Sequence, residues 1–164
     1  MYSLVIRPAL LGDAPALASL YNHYVETSTC TFQLDAETVD ERIAWIQQHT
    51  GPHPASVAIL DGTIAGFASL SPFHGRCAYR ATAESSVYVR EDLHRKGIGR
   101  ALMTELIEEA RTLGHHTLIA TIEASQEGSI ALHSAFGFAV VGHLTEVGFK
   151  HGRWLDVVYL QLLL

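Results

Sequence analysis

The chain has 164 residues, with 17 Asp plus Glu against 11 Lys plus Arg, a formal charge of −6 with its ten histidines neutral, and 48% apolar residues. That length and apolar content suit one domain with its own core, and they exclude disorder, a collagen-like repeat and a small disulfide scaffold. The acidic balance argues against a general binder of nucleic acid or membrane surfaces, whose footprint is an excess of Lys and Arg.

In chain order, Leu4 to Arg7 reads as a short strand, and Leu17, Leu20, Tyr21, Tyr24 and Val25 then recur at helical spacing after Asp13, an expected N-cap. Asp35 is the expected cap of a second helix, whose stripe is Val39, Ile43 and Ile46 between Asp40, Glu41, Arg42, Gln47 and Gln48; Gly51, Pro52 and Pro54 stop it. SVAIL and TIAGFASL flank Asp61-Gly62, the signature of a β-hairpin. Residues 84 to 90 predict the next strand. A third helix carries Ile98, Leu102, Leu106 and Ala110 on one face and ends at Gly114. Residues 117 to 124 predict a strand, Ser129 to Phe136 a short helix, and Phe138 to Gly148 and Arg153 to Leu163 two last strands. The order is βααβββαβαββ, so the fold class is α/β (α+β), a mixed sheet with helices on both faces, in a single domain over residues 1–164.

The amino terminus has no basic segment ahead of its apolar run and meets Arg7, Pro8 and Asp13 early, so a secretory signal is not expected and a soluble cytoplasmic chain is. No apolar run approaches the ~18 residues of a membrane span. Cys30 and Cys77 form no CxxC and predict two reduced thiols. A metal site is not expected either: Gly51 and Pro52 separate His49 from His53, His115-His116 point to opposite sides of a strand, and HExxH is absent.

The chemistry concentrates in VYVREDLHRKGIGRALM, residues 87 to 103, where a strand runs through a loop with two glycines into a helix N-terminus. Unpaired N–H groups and the helix dipole make such an end an anion site, and Gly97 and Gly99 let the backbone approach phosphate closely. Arg95, Lys96 and Arg100 add cations. Residues 76 to 100 hold six of the eleven basic groups against three acids, a local +3 inside a chain of −6. The bland alternative is a loop with a solvated basic face. GxxxxGK[ST] is absent and GxGxxG fails at Leu102, so the expected ligand is a pyrophosphate carrier other than a P-loop nucleotide or a Rossmann dinucleotide.

His94-Arg95-Lys96-Gly97-Ile98-Gly99 resembles the acyl-CoA pyrophosphate loop, Q/R-x-x-G-x-G/A, of the GNAT superfamily of N-acetyltransferases, with His94 in the Gln/Arg place, and the element order fits that fold over the whole chain. Thr31-Phe32, the run Thr82 to Val89 after Tyr79, Ser129 to His133 with Phe136-Gly137-Phe138, and Val147 to Asp156 together resemble phosphinothricin acetyltransferases and their relatives acting on methionine sulfoximine and methionine sulfone. The resemblance implies an enzyme that takes acetyl-CoA as co-substrate, uses no metal, acetylates the amino group of a small amino-acid-like molecule by direct attack in a ternary complex, and pairs as a homodimer. It implies Glu84 as general base and His133 as the group that protonates the leaving thiolate or relays a proton. It further implies that Val87, Tyr88, Val89, Gln126 (where the family has Asn) and Ser129 line the acetyl-CoA arm together with Arg95, Lys96, Gly97, Ile98, Gly99 and Arg100. Phe32, Arg76 and Tyr79 are then the acceptor-binding set, Arg76 as carboxylate clamp. Two alternatives stay open on the residues: another amine as acceptor, such as a protein N-terminus or a polyamine, or a non-catalytic acyl-CoA-binding module.

Overall fold

The computed structural model describes residues 3–164 and has the expected element order: β1 (Leu4–Pro8), α1 (Ala14–Thr27), α2 (Val39–Gln48), β2 (Ala55–Leu60), β3 (Thr63–Pro72), β4 (Thr82–Val89), α3 (Ile98–Thr112), β5 (Thr117–Glu123), α4 (Glu127–Ala135), β6 (Ala139–Lys150) and β7 (Arg153–Leu163). The strands form one seven-stranded sheet in the order β1-β2-β3-β4-β5-β7-β6. Every neighbouring pair is antiparallel except β4 and β5, which need α3 as their crossover. Asp61 and Gly62 take φ of 49° and 82°, the double positive φ that a two-residue hairpin turn demands, and Leu60 pairs directly with Thr63 across it.

The strand period of two divides the apolar residues between two layers. On one face Leu17, Leu20, Tyr24 and Ile46 of α1 and α2 pack on Val57 and Phe67. On the other, Ile98, Leu102, Leu106 and Ala110 of α3, the stripe read from the sequence, pack on Ala58, Ala68, Leu118 and Leu160. Gly66 is what lets α3 come this close: a Cβ there would lie 2.7 Å from the Tyr88 carbonyl and 3.1 Å from Leu102.

Three sequence expectations are corrected. Thr38, not Asp35, caps α2, in a reciprocal box in which its hydroxyl accepts from the Glu41 amide and the Glu41 carboxylate accepts from the Thr38 amide. Asp13 occupies the N-cap position of α1 without capping it; its carboxylate instead takes both terminal nitrogens of Arg7, at 2.7 and 2.8 Å, and the Leu10 amide. His115 and His116 precede β5 instead of lying within it. Arg42, grouped by sequence with the polar flank of α2, is only 2% exposed. Its guanidinium lies over the rings of Tyr21, Trp45 and Phe67 and pairs with Glu37, which makes a buried charge tolerable. Smaller shifts affect ends only: β4 starts at Thr82, α4 at Glu127, and β6 runs on to Lys150.

One departure from a continuous ladder positions everything that follows. β4 and β5 pair only over Thr82–Glu84 and Thr117–Ile119, whereas β3 stays paired with β4 as far as Val89. Beyond Glu84 the sheet is therefore open between its two central strands.

Candidate active site at the opening between β4 and β5

The amide of Arg90 donates to the Ala65 carbonyl on β3. Main-chain groups alternate sides along a strand, so those of Tyr88, Ser86 and Glu84 also face β3, and those of Ser85, Val87 and Val89 face the opening. A cavity of about 940 Å³ occupies this opening, lined among others by Val87, Tyr88, Val89, Arg95, Gly97, Ile98, Gly99, Arg100, Gln126, Ser129 and His133. Ten of the eleven residues expected to hold the acyl carrier thus meet in one place. The eleventh, Lys96, is exposed and does not line the cavity.

At one end of the cavity the chain turns sharply into α3. Arg95 and Gly97 take φ of 62° and 82°, and Gly97 is the N-cap, its carbonyl accepting the first helical bond from Ala101. The amides of Ile98, Gly99 and Arg100 are therefore left without helical partners, aligned with the positive end of the dipole. A Cβ at Gly99 would sit 3.2 Å from Leu132, so this glycine lets α3 start close against α4. The Arg100 guanidinium lies over Phe136.

His94 and Tyr24 form a link that the sequence did not suggest, since 70 residues separate them. The Tyr24 hydroxyl donates to the Val89 carbonyl, one of the groups the opening leaves unpaired. That commits the only phenolic proton, so the His94 Nε2–H donates to the Tyr24 oxygen at 2.9 Å and to the same carbonyl at 3.1 Å. His23 and Glu91 pair beside them at 2.8 Å, and α1 thereby holds the segment that leads into the glycine loop.

The two expected proton-transfer groups approach the opening from opposite faces. His133 is 3% exposed, on the α3 side, edge-on to Phe138. Its Nδ1 lies 2.7 Å from the Ser129 carbonyl, which can only accept, so Nδ1 carries the proton. Nε2 is then a lone pair, buried and without a partner. Burial holds the imidazole below its ordinary pKa, with the Ser129 bond opposing. The resting ring is therefore an acceptor, and of the two roles the resemblance implies for His133 this tautomer suits the relay: it can protonate a leaving group only with a proton it has first received.

Glu84 projects to the α1/α2 face. It is half-buried, and burial lifts its carboxyl above the usual carboxylate range, with Thr121 and His74 pulling it back. It stands just outside the cavity, next to Ser85 and Thr121, which line it. Gln126 lines the cavity, but its amide nitrogen is turned to Thr29 at 3.2 Å and to Glu123 at 3.5 Å. Burial raises the Glu123 pKa, but Ser125, Thr29 and Gln126 together hold it below its ordinary value.

The acceptor set is divided. Arg76 and Tyr79 share a separate, open pocket of about 410 Å³ with His74 and Gly75, in which the rings of Phe73, His74 and Tyr79 pack edge to face or tilted. His74, absent from the sequence expectation, lines this pocket and is one of the two groups that draw the Glu84 pKa back down against burial. Phe32, two residues along from Cys30, which lines the large cavity, itself lines neither; its ring lies against Gly148. Among the described residues no group of three or more His, Cys, Asp or Glu side chains could hold a metal ion, and no helix is long and apolar enough to cross a membrane.

Residues 17–138 match the model of the acetyltransferase (GNAT) family. The chain is 39% identical over 158 residues to an L-amino acid N-acyltransferase of Escherichia coli, covering 96% of this chain and 92% of that one. It is 37% identical over 161 residues to an L-methionine sulfoximine/L-methionine sulfone acetyltransferase of Salmonella typhimurium, covering 97% and 94%. The crystal structure of a phosphinothricin acetyltransferase from Sinorhizobium meliloti in complex with acetyl-CoA superposes with a TM-score of 0.95 at 35% identity, covering 98% of this chain and 88% of that one.

Proposed function

The chain belongs to the acetyltransferase (GNAT) family and is an acetyl-CoA-dependent N-acetyltransferase, and on that premise we propose that its acceptor is the α-amino group of a small amino acid with a polar side-chain oxygen group, of the phosphinothricin, methionine sulfoximine or methionine sulfone kind. The observation that carries this reading is a cavity of about 940 Å³ suited to an acyl carrier, with Glu84 beside its lining residues Ser85 and Thr121, together with a smaller pocket that holds the Arg76 guanidinium and the Tyr79 phenol. A compact zwitterion needs a cation for its carboxylate and a base for its ammonium, and this arrangement offers both.

The residues fit acetyl-CoA, which when bound supplies the acetyl group activated as a thioester. The free amides of Ile98, Gly99 and Arg100, with the Arg95 and Arg100 side chains, hold the pyrophosphate, and Lys96 adds charge from outside the cavity. The main chain of Val87 and Val89, left without a β5 partner, pairs with the amide-bearing arm in its place and donates to the oxyanion. Tyr88 lines the opening without offering it a polar group, since its main-chain groups face β3 and its ring packs with Phe67 on the α1/α2 face. Ser129 acts through its carbonyl, which fixes the His133 ring. Gln126 lines the arm while its amide braces the loop after α1. Glu84 removes a proton from the acceptor ammonium, directly or through water, Arg76 clamps the carboxylate beside Tyr79, and Phe32, carried by the loop whose Cys30 lines the large cavity, supplies a separate apolar wall. The His133 Nε2 lone pair takes the second proton, which the amine nitrogen sheds as it bonds to the acetyl carbon, and passes it to the sulfur as the C–S bond breaks.

We further propose one catalytic domain spanning residues 1–164, working in the cytoplasm as a homodimer. The support for pairing is an exposed apolar band on β6 and β7: Val140, Val141, Val147, Phe149 and Trp154 are each more than half exposed, on or beside the sheet's edge strand. Sedimentation equilibrium reporting a single-chain mass would remove the dimer.

Thiol release from acetyl-CoA tests the function against phosphinothricin, methionine sulfoximine, methionine sulfone, spermidine and short peptides. The three amino acids are expected to turn over in preference to the rest. A preference for spermidine or peptides moves the enzyme to another acceptor class, and no turnover with any amine overturns catalysis.

A further inference from the structure

Gly148 stands in an extended stretch of β6, paired with Leu155 of β7, and its backbone does not need glycine's positive φ. The missing side chain has another reason: a Cβ built there would come within 2.3 Å of one Phe32 ring carbon and 2.9 Å of two more. The ring of Phe32 therefore lies on the bare α-carbon of Gly148. Nonbonded carbons settle near 3.5–4.0 Å, so a methyl group at this position would drive the ring outward by roughly 1 Å or more.

The surrounding residues fix the loop that carries this ring. Two residues along, on the same face of β6, Lys150 is 4% exposed and its ammonium donates to the Thr31 carbonyl at 2.8 Å. The Thr31 hydroxyl bonds the Tyr21 phenol at 2.8 Å, and the Thr29 hydroxyl donates to Glu123 at 2.9 Å. Cys30, between these anchors, lines the large cavity. The backbone before Phe32 is thus pinned by Thr29 and Thr31, the ring rests on Gly148, and 40% of Phe32 remains exposed. A register shift between Leu144 and Gly148, with Glu146 at φ 51°, sets β6 at the offset that brings Gly148 under the ring.

We propose that Gly148 is a specificity-determining residue of the acetyl transfer: its bare α-carbon seats the Phe32 ring as a wall of the acceptor site, and Lys150 is a positioning residue that holds the loop in register. This rests on the reading that Phe32 walls the acceptor. The acetyl carrier, bound in the opening between β4 and β5, does not depend on that seat.

Gly148→Ala, Phe32→Leu and the double variant test it by steady-state thiol release, with acceptor and acetyl-CoA varied separately. Gly148→Ala is expected to raise the acceptor KM roughly tenfold, the scale of one apolar contact in a pocket. The acetyl-CoA KM and kcat are expected to stay within about twofold. Because Phe32→Leu deletes the ring carbon that would come closest and leaves a flexible side chain, the double variant is expected to be little worse than Phe32→Leu alone, and it keeps the test usable if Gly148→Ala folds poorly. A merely structural role predicts additive losses that reach acetyl-CoA binding, and that result overturns the proposal. A readout independent of turnover is the ¹⁹F spectrum of 4-fluorophenylalanine-labelled protein, with the Phe32 resonance assigned by its loss in Phe32→Leu. Gly148→Ala is expected to shift that resonance, and an unmoved one overturns the seat itself. If the resonance moves and amino acids are acetylated with unchanged KM, the seat exists but does not set specificity, and the proposal fails. If the resonance moves but the wild type acetylates no amino acid, the acceptor reading fails by a separate route.

Discussion

The Nδ1–H of His133 donates to the carbonyl of Ser129, four residues earlier on the same helix, at 2.7 Å. One hydrogen bond inside α4 therefore fixes which ring nitrogen faces the cavity as a base. His133→Phe keeps ring volume and removes the lone pair, and kcat is expected to fall by about 100-fold with little change in the acetyl-CoA KM, the usual scale for one proton-transfer group. Ser129→Ala retains the carbonyl and is expected to leave kcat nearly intact. Initial rates on purified variants check both.

The pH dependence of the same residue has a definite sign. Burial lowers the folded pKa of His133, so the neutral ring is the native form at pH 7. Lowering the pH through the ordinary value near 6.5 protonates the unfolded chain first, and stability declines from there down through the folded pKa. Above that window His133 contributes no pH dependence. Urea melts across pH 5 to 8 should show an acid-side loss of stability that is smaller in His133→Phe; an identical slope in the two proteins would contradict it.

Glu84 behaves in the opposite way. Its folded pKa is raised by burial, so ionisation costs stability once the pH exceeds the usual carboxylate range, and the cost is complete above the folded pKa. Glu84→Gln is expected to lower kcat/KM by about 100-fold and to raise the melting temperature at pH 8, with no gain at pH 4. Calorimetry at the two pH values separates this from a uniform stability change. A function-linked destabilisation of this kind is common at catalytic positions.

Arg42 is the group whose loss should damage the fold most. Removing one partner of a buried pair leaves an uncompensated charge or a void, at roughly 3–5 kcal/mol. Arg42→Ala and Glu37→Ala are each expected to fall in that range in urea unfolding, with strong non-additivity in the double variant. Arg42→Lys should recover little, because an ammonium cannot reproduce the planar stack over Tyr21, Trp45 and Phe67.

Asp13 supplies an acid-labile contact at the edge of the sheet. Its carboxyl is held below the ordinary range, chiefly by the Arg7 hydrogen bonds. The stabilisation is present above the unfolded carboxylate pKa and is lost as the pH falls through the folded one. Asp13→Asn is expected to cost about 1.5–3 kcal/mol at pH 7 and progressively less toward pH 3. A cost that stays constant with pH would assign the loss to packing alone.

Period and punctuation in the sequence determined the elements. Apolar spacing located α3, Asp61-Gly62 located the hairpin, and the two glycines after β4 marked the anion end of a helix, because each is a local consequence of backbone geometry. The motif blocks from Thr31 to Asp156 pointed to the family and hence to Glu84 and His133. Local pattern could not show that Arg42 is a core residue, since its charge resembles that of its exposed neighbours until three rings and Glu37 surround it. Nor could it show which nitrogen of His133 is free, that Tyr24 and His94 take up the Val89 carbonyl, or that Phe32 rests on Gly148. The Tyr24 and Phe32 contacts bridge 65 to 116 residues, the His133 lone pair is buried only by the packing around α4, and the gap they surround opens where β5 leaves β4, after Glu84. Sequence fixes which backbone conformations are favoured at each position; which unpaired groups finally face one another is decided only when the sheet closes around its own gap.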